Sequence, residues 1–90
     1  MNLSKKNVLI HYMVNKKENT EVDTKLVISC IYTYAQNKPI YFEYEPTFYN
    51  DVLVFGIIGI KREHLKLQKV LGSDLIKLNC KLNILEGKYK

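Results

Sequence analysis

Residues 20–36, TEVDTKLVISCIYTYAQ, carry two competing periodicities. As a helix, Val22, Leu26, Val27, Cys30, Ile31 and Tyr34 form one apolar stripe at spacings of three and four. Thr20 then stands at the N-cap with Asp23 at the third position, close to a capping box. Glu21 and Asp23 fall in the first turn, where the helix dipole favours acids. Asn37, Lys38 and Pro39 end the segment. As a strand, Leu26, Ile28, Cys30, Tyr32 and Tyr34 alternate equally well, and Val, Ile, Thr and Tyr favour strands. The capping chemistry selects the helix, expected over residues 21–36.

The flanking segments carry clearer periods. Residues 7–15 predict a strand with Val8, Ile10, Tyr12 and Val14 on one face and Leu9, His11 and Met13 on the other. Both faces are largely apolar, which suits a central strand. Lys16, Lys17, Glu18 and Asn19 make a polar loop. Residues 40–45 predict a strand, with Ile40, Phe42 and Tyr44 opposed to Tyr41, Glu43 and Glu45; residues 46–51 follow as a turn. Residues 52–60 are nearly all apolar and predict a second central strand. Residues 61–71 predict a helix ended by Gly72 as C-cap, with His64, Leu67, Val70 and Leu71 inward and Arg62, Lys66 and Lys69 outward. Residues 75–86 predict a long strand, with Ile76, Leu78, Cys80, Leu82 and Ile84 facing in and Lys77, Asn79, Lys81 and Asn83 facing out. Residues 87–90 form a basic tail.

This order predicts an α+β, two-layer sandwich: a four-stranded antiparallel sheet with two helices on one face, in the β-α-β-β-α-β arrangement called ferredoxin-like. That topology puts the first and third strands in the middle, and those are the two with apolar residues on both faces. If residues 24–35 were a strand, the chain would instead be a five-stranded antiparallel sheet carrying one helix.

Ninety residues predict a single domain spanning 1–90. An apolar fraction of 47% is globular, and a net charge of +5 is unevenly spread: +3 over residues 1–20, −3 over 21–60 and +5 over 61–90. No apolar run approaches the roughly 18 residues of a membrane span, and the first residues lack a signal-peptide core, so a cytoplasmic protein with no membrane contact is expected. Cys30 and Cys80 sit inside apolar patterns and read as reduced thiols. Thirteen Lys, eight Asn and nine Ile against one Arg and one Ala indicate AT-rich codons. A low-GC bacterium, its phage or another mobile element fits that bias.

Catalytic patterns are missing. His11, His64, Cys30 and Cys80 lie on four different segments, so no metal site and no cofactor are expected. Gly56-Ile57-Ile58-Gly59 lacks the spacing and the Lys-Ser/Thr of a phosphate loop. Glu43 and Glu45 have no third acid placed to join them in acid–base chemistry. Lys61 and Arg62 at a helix start could hold an anion. Acylphosphatase-type enzymes share the topology but need an Arg in a glycine-rich first loop, and residues 16–19 contain neither.

Two helices cover one sheet face and leave the other open. If Val8, Ile10 and Tyr12 point to the helices, Leu9, His11 and Met13 form its centre, with either Leu53, Phe55 and Ile57 or Val54, Ile58 and Ile60. Tyr41, Glu43 and Glu45 would rim one side, and Lys77, Asn79, Lys81 and Asn83 the other. Such a patch has the anatomy of a protein interface, for a foreign protein or a second copy. Phe48 and Tyr49, in the acidic aromatic stretch 43–51, extend it as contacts for a basic surface. The expected function is therefore that of a small non-enzymatic regulatory protein acting by protein–protein contact, such as a phage or mobile-element inhibitor of a host nucleic-acid-processing or defence enzyme. The alternative is an RNA- or single-stranded-DNA-binding module using Arg62, Lys66, Lys69, Lys77 and Lys81. A third possibility closes the face with the N-terminal segment or the 46–51 turn.

Overall fold

The computed structural model of the chain describes residues 6–85. Its elements are β1 (Asn7–Lys16), α1 (Thr24–Ala35), β2 (Tyr41–Tyr49), β3 (Val52–Ile60), α2 (Lys61–Ile76) and β4 (Cys80–Ile84). The four strands form one sheet in the order β2-β3-β1-β4, with every neighbouring pair antiparallel. This is the expected β-α-β-β-α-β sandwich, with β1 and β3 in the centre.

The ambiguous segment is a helix, capped three residues later than the sequence suggests. Asp23, not Thr20, is the N-cap: its Oδ1 accepts from the backbone N–H of Lys25 at 3.0 Å and of Leu26 at 3.3 Å. Thr20 instead donates its hydroxyl to the Lys17 carbonyl at 2.6 Å, inside the preceding loop. Val22 and Val27, the positions before the cap and four after it, both join the core, which is the spacing of a hydrophobic staple. At the other end Lys38 Nζ donates to the Tyr34 carbonyl at 3.1 Å and lies 4.4 Å from the Tyr34 ring centroid. A cation there complements the helix C-terminus. The expected stripe loses Leu26, which is 53% exposed; Val27, Ile31 and Tyr34 are its buried members.

The second helix does not stop at Gly72. It runs to Ile76, and Lys77 is its C-cap in the right-handed region. The chain then turns through Asn79 at φ 64°, so β4 begins only at Cys80. Ile76 is thus a helical residue and 59% exposed, and Lys77 shares no strand face with Lys81. Val70, expected inward, is exposed; Glu63, His64, Leu67, Leu71 and Leu75 make the buried side.

The expected turn at 46–51 is mostly strand. β2 continues through Pro46 to Tyr49 and leaves Asn50 and Asp51 as a two-residue hairpin loop. Pro46 is tolerated because β2 is an edge strand with two register shifts, between Phe42 and Tyr44 and between Tyr44 and Thr47. The 46–51 segment therefore cannot fold over the sheet. The N-terminal residues 1–5, offered as the other possible cover, and the basic tail at 87–90 lie outside the described residues.

The core lies between the sheet and the helices. Ile10, Tyr12 and Val14 of β1 and Leu53, Phe55 and Ile57 of β3 pack there against Val27 and Ile31 of α1 and Leu67, Leu71 and Leu75 of α2. Burying each such side chain contributes about 1.5–3 kcal/mol. One polar chain runs through this core. His64 Nε2 lies 2.8 Å from the Val8 carbonyl, which can only accept, so Nε2 carries the proton. Nδ1, 2.8 Å from the Tyr12 hydroxyl, is then the acceptor, and Gln68 donates its amide to Tyr12 Oη at 3.2 Å. Burial holds His64 below the usual histidine range, in keeping with that neutral tautomer.

Candidate interaction face

The register fixes which side chains point away from the helices. On β1 these are Leu9, His11, Met13 and Asn15, all partly buried. On β3 they are Val54, Ile58 and Ile60, because Leu53, Phe55 and Ile57 are the core set. Pairing sets Leu9 beside Ile58 and Met13 beside Val54, with His11 beside Gly56 between them, so two apolar rungs flank a His11–Gly56 rung in the middle of the uncovered face.

The first bulge in β2 changes what borders these rungs. Strict alternation would put Phe42 and Tyr44 on the same side. Instead Phe42 pairs with Ile57 and packs toward the helices, its ring 5.1 Å from Tyr32 and 6.1 Å from Phe55 between centroids. Tyr44 pairs with Gly56 and lies on the open face. Its hydroxyl is 2.8 Å from His11 Nδ1, and the two rings are 5.6 Å apart. Gly56 makes this possible: a Cβ there would come within 2.9 Å of Tyr44 Cε1 and 3.2 Å of Glu43 Oε1. The Tyr44 ring and the Glu43 carboxylate therefore rest over the glycine, at the level of His11. Burial, and then Glu43, push the Tyr44 phenol up, so it stays protonated and can donate to His11.

The expected partner-binding residues separate into two groups. Leu9, His11, Met13, Tyr41, Glu43 and Tyr49 come together on the open face; Tyr41 is 64% and Tyr49 62% exposed. Burial, and then Glu45 beside its hydroxyl, raise the pKa of Tyr32 on α1, so Glu45 faces the helix side. Phe48 pairs with Leu53 and packs against the core. Glu45 and Tyr44 thus each lie on the face opposite to the one strict alternation predicts, and it is Tyr44 that joins the open face. Gly56 opposite it was the available signal, since glycine inside a strand marks a bulge or a close approach.

The basic residues lie elsewhere. Arg62, Lys66 and Lys69 are exposed along the outer side of α2, and Lys77 ends that helix. Lys81 pairs with Asn15 and Asn83 with Met13, so both rim the open face. Asn83 Nδ2 donates to Asn15 Oδ1 at 3.3 Å along that rim. At the start of α2, Glu63 in the first turn supplies the negative charge the dipole favours beside Lys61 and Arg62.

Cys30 and Cys80 are free thiols, both pushed up by burial, with Asp74 and Cys80 adding to the rise at Cys30. Among the described residues no three of His, Cys, Asp and Glu gather closely enough to hold a metal ion. No described helix is long and apolar enough to cross a membrane. No protein family, curated protein or solved structure matches the chain.

Proposed function

We propose that this protein is a non-catalytic, cytoplasmic interaction protein that binds another protein chain through the open face of its sheet. One observation carries the reading: both helices pack on the side of Tyr12, Leu53 and Phe55, while Leu9, Met13, Val54 and Ile58 form two apolar rungs on the other side. These rungs are bordered by exposed Tyr41 and Tyr49 on one edge and by Lys81 and Asn83 on the other. Apolar rungs on either side of the His11–Gly56 rung, exposed tyrosines and a polar rim are the composition of a specific protein contact. A regulator that works by occluding another protein, such as an inhibitor of a nucleic-acid-processing or defence enzyme, needs no more than this surface.

The test is crosslinking mass spectrometry on the protein in complexes formed in its source cells, with Val54→Asp as control. Crosslinks from Lys81, and protection of Tyr41 and Tyr49 from surface labelling, are expected. Val54→Asp should abolish them while leaving the circular dichroism spectrum unchanged. Crosslinks confined to α1 and α2 would overturn the reading.

A second reading is favoured by the outer side of α2, where Arg62, Lys66 and Lys69 are exposed and no carboxylate among the described residues forms an ion pair with them. A phosphate backbone would suit such a stripe. Fluorescence anisotropy with labelled oligonucleotides across a salt series decides it. Binding that weakens linearly in log salt, with a shallower slope for Lys66→Glu, supports a nucleic-acid module. Absence of binding at low salt removes it.

A further inference from the structure

We infer that the partner on the open face is a second copy of this chain, related by a two-fold axis that runs parallel to the strands between β1 and β3. The inference rests on the open face being the contact surface, and it goes further by naming the occupant and the pairings.

The register supplies the argument. Residues paired across the sheet lie at one level along the strands. The stated axis keeps that level and exchanges β1 with β3 and β2 with β4. Each rung of the sheet therefore meets its own reverse. Leu9 and Ile58 share a rung, so Leu9 of one copy meets Ile58 of the other. Met13 and Val54 share a rung with Thr47 and Asn83, so Val54 meets Met13 and Thr47 meets Asn83. Tyr49, Val52, Asn15 and Lys81 share a rung, so the Lys81 ammonium meets the exposed Tyr49 ring, a cation against an aromatic face.

The central rung is the most specific. His11 pairs with Gly56, and Glu43 Oε1 lies 3.2 Å from where a Gly56 Cβ would stand. The axis sets this carboxylate over the partner's His11. His11 Nδ1 is engaged by Tyr44, and Nε2 has no partner among the described residues. The neutral tautomer that accepts the Tyr44 proton at Nδ1 carries its own proton on Nε2, ready to donate to a carboxylate. Two such His11–Glu43 contacts form, one in each direction. A two-fold perpendicular to the strands would instead lay β2 on β2 and bring the two Glu43 carboxylates toward each other.

The size of the face fits a small dimer. Strands of ten, nine, nine and five residues, about 4.8 Å apart with about 3.4 Å per residue, give about 540 Å² in plan for each copy. Accessible surface exceeds plan area, so the contact approaches the roughly 800 Å² per partner of a standard interface.

The experiment is sedimentation velocity on the full chain from about 1 μM to about 1 mM, the span of weak to moderate affinities for an interface of this size. Wild type is expected to shift from monomer to dimer within that range. Glu43→Lys and His11→Glu should each remain monomeric, because each homodimer would then contain two like-signed or mismatched contacts. An equimolar mixture of the two variants should dimerise again, since both cross-contacts become acid against base or imidazole. Recovery on mixing also shows that both variants are folded. A wild-type monomer throughout the range overturns the second copy as occupant; if Val54→Asp still abolishes crosslinks to a foreign protein, the open-face reading stands without it. A dimer that Glu43→Lys and His11→Glu leave intact, or variants that do not recover on mixing, also overturn it.

Discussion

A methyl group added at Gly59 would come within 2.9 Å of Ile40 Cγ2, the methyl of a β-branched, buried side chain with little room to move. The same group at Gly72 would meet Leu82 Cδ2 at 3.9 Å, an ordinary contact. Gly72 lies inside α2 and has no positive φ, so its missing side chain only adds entropy to the unfolded chain. Gly59→Ala should therefore cost about 1–3 kcal/mol by overpacking. Gly72→Ala should gain about 0.5–1 kcal/mol. Urea denaturation of both variants checks the pair, and equal signs would contradict the packing described. The left-handed positions among the described residues belong to asparagines: Asn19, Asn37, Asn50 and Asn79, at φ 59–64°. Among the described residues Asn, not Gly, marks these turns. Gly72 therefore sits inside α2 rather than ending it, and Asn79 marks the break before β4.

At the scale of elements, α1 shows where local signals suffice. Its existence was legible from the stripe and the acids preceding it, but its cap was misplaced because Thr20 and Asp23 are both good capping residues. The structure chooses Asp23, whose carboxylate accepts two backbone N–H groups. Asp23→Ala should cost about 0.5–2 kcal/mol and lower helicity at 222 nm. Thr20→Ala, which loses one exposed loop hydrogen bond, should stay within about 0.5 kcal/mol of wild type. The reverse ranking in thermal melts would restore the earlier cap. β2 shows where local signals fail. Alternation put Tyr44 with Phe42, but a bulge shifts the register between them, and a bulge is set by what the neighbouring strand offers. Here that is the space over Gly56.

For the molecule as a whole, the His64–Tyr12–Gln68 chain joins α2 to β1 through the core and makes stability depend on pH. Burial lowers the His64 pKa in the folded state, while in the unfolded chain it returns to about 6.5. Below that value the unfolded state binds a proton that the native state resists. Stability is therefore full above about pH 6.5 and falls as pH drops toward the folded pKa. Denaturation midpoints between about pH 8 and 5 should show this decline. Replacing both partners, as in Tyr12→Phe with His64→Leu, should flatten it; an unchanged slope would place the titrating group elsewhere.

The sequence by itself determined the order of elements, the two central strands and the presence of an uncovered apolar face. Those features follow from periodicity, which each segment carries alone, and from two amphipathic helices being too few to cover both sides of four strands. Which face stays open was decided only in three dimensions, by Tyr12, Leu53 and Phe55 packing against the helices. The same holds for the centre of that face. His11, Glu43 and Tyr44 lie on strands that are not adjacent, and they meet over Gly56 because the strand between them lacks a side chain there. No local pattern encodes that meeting, since it depends on register across the sheet.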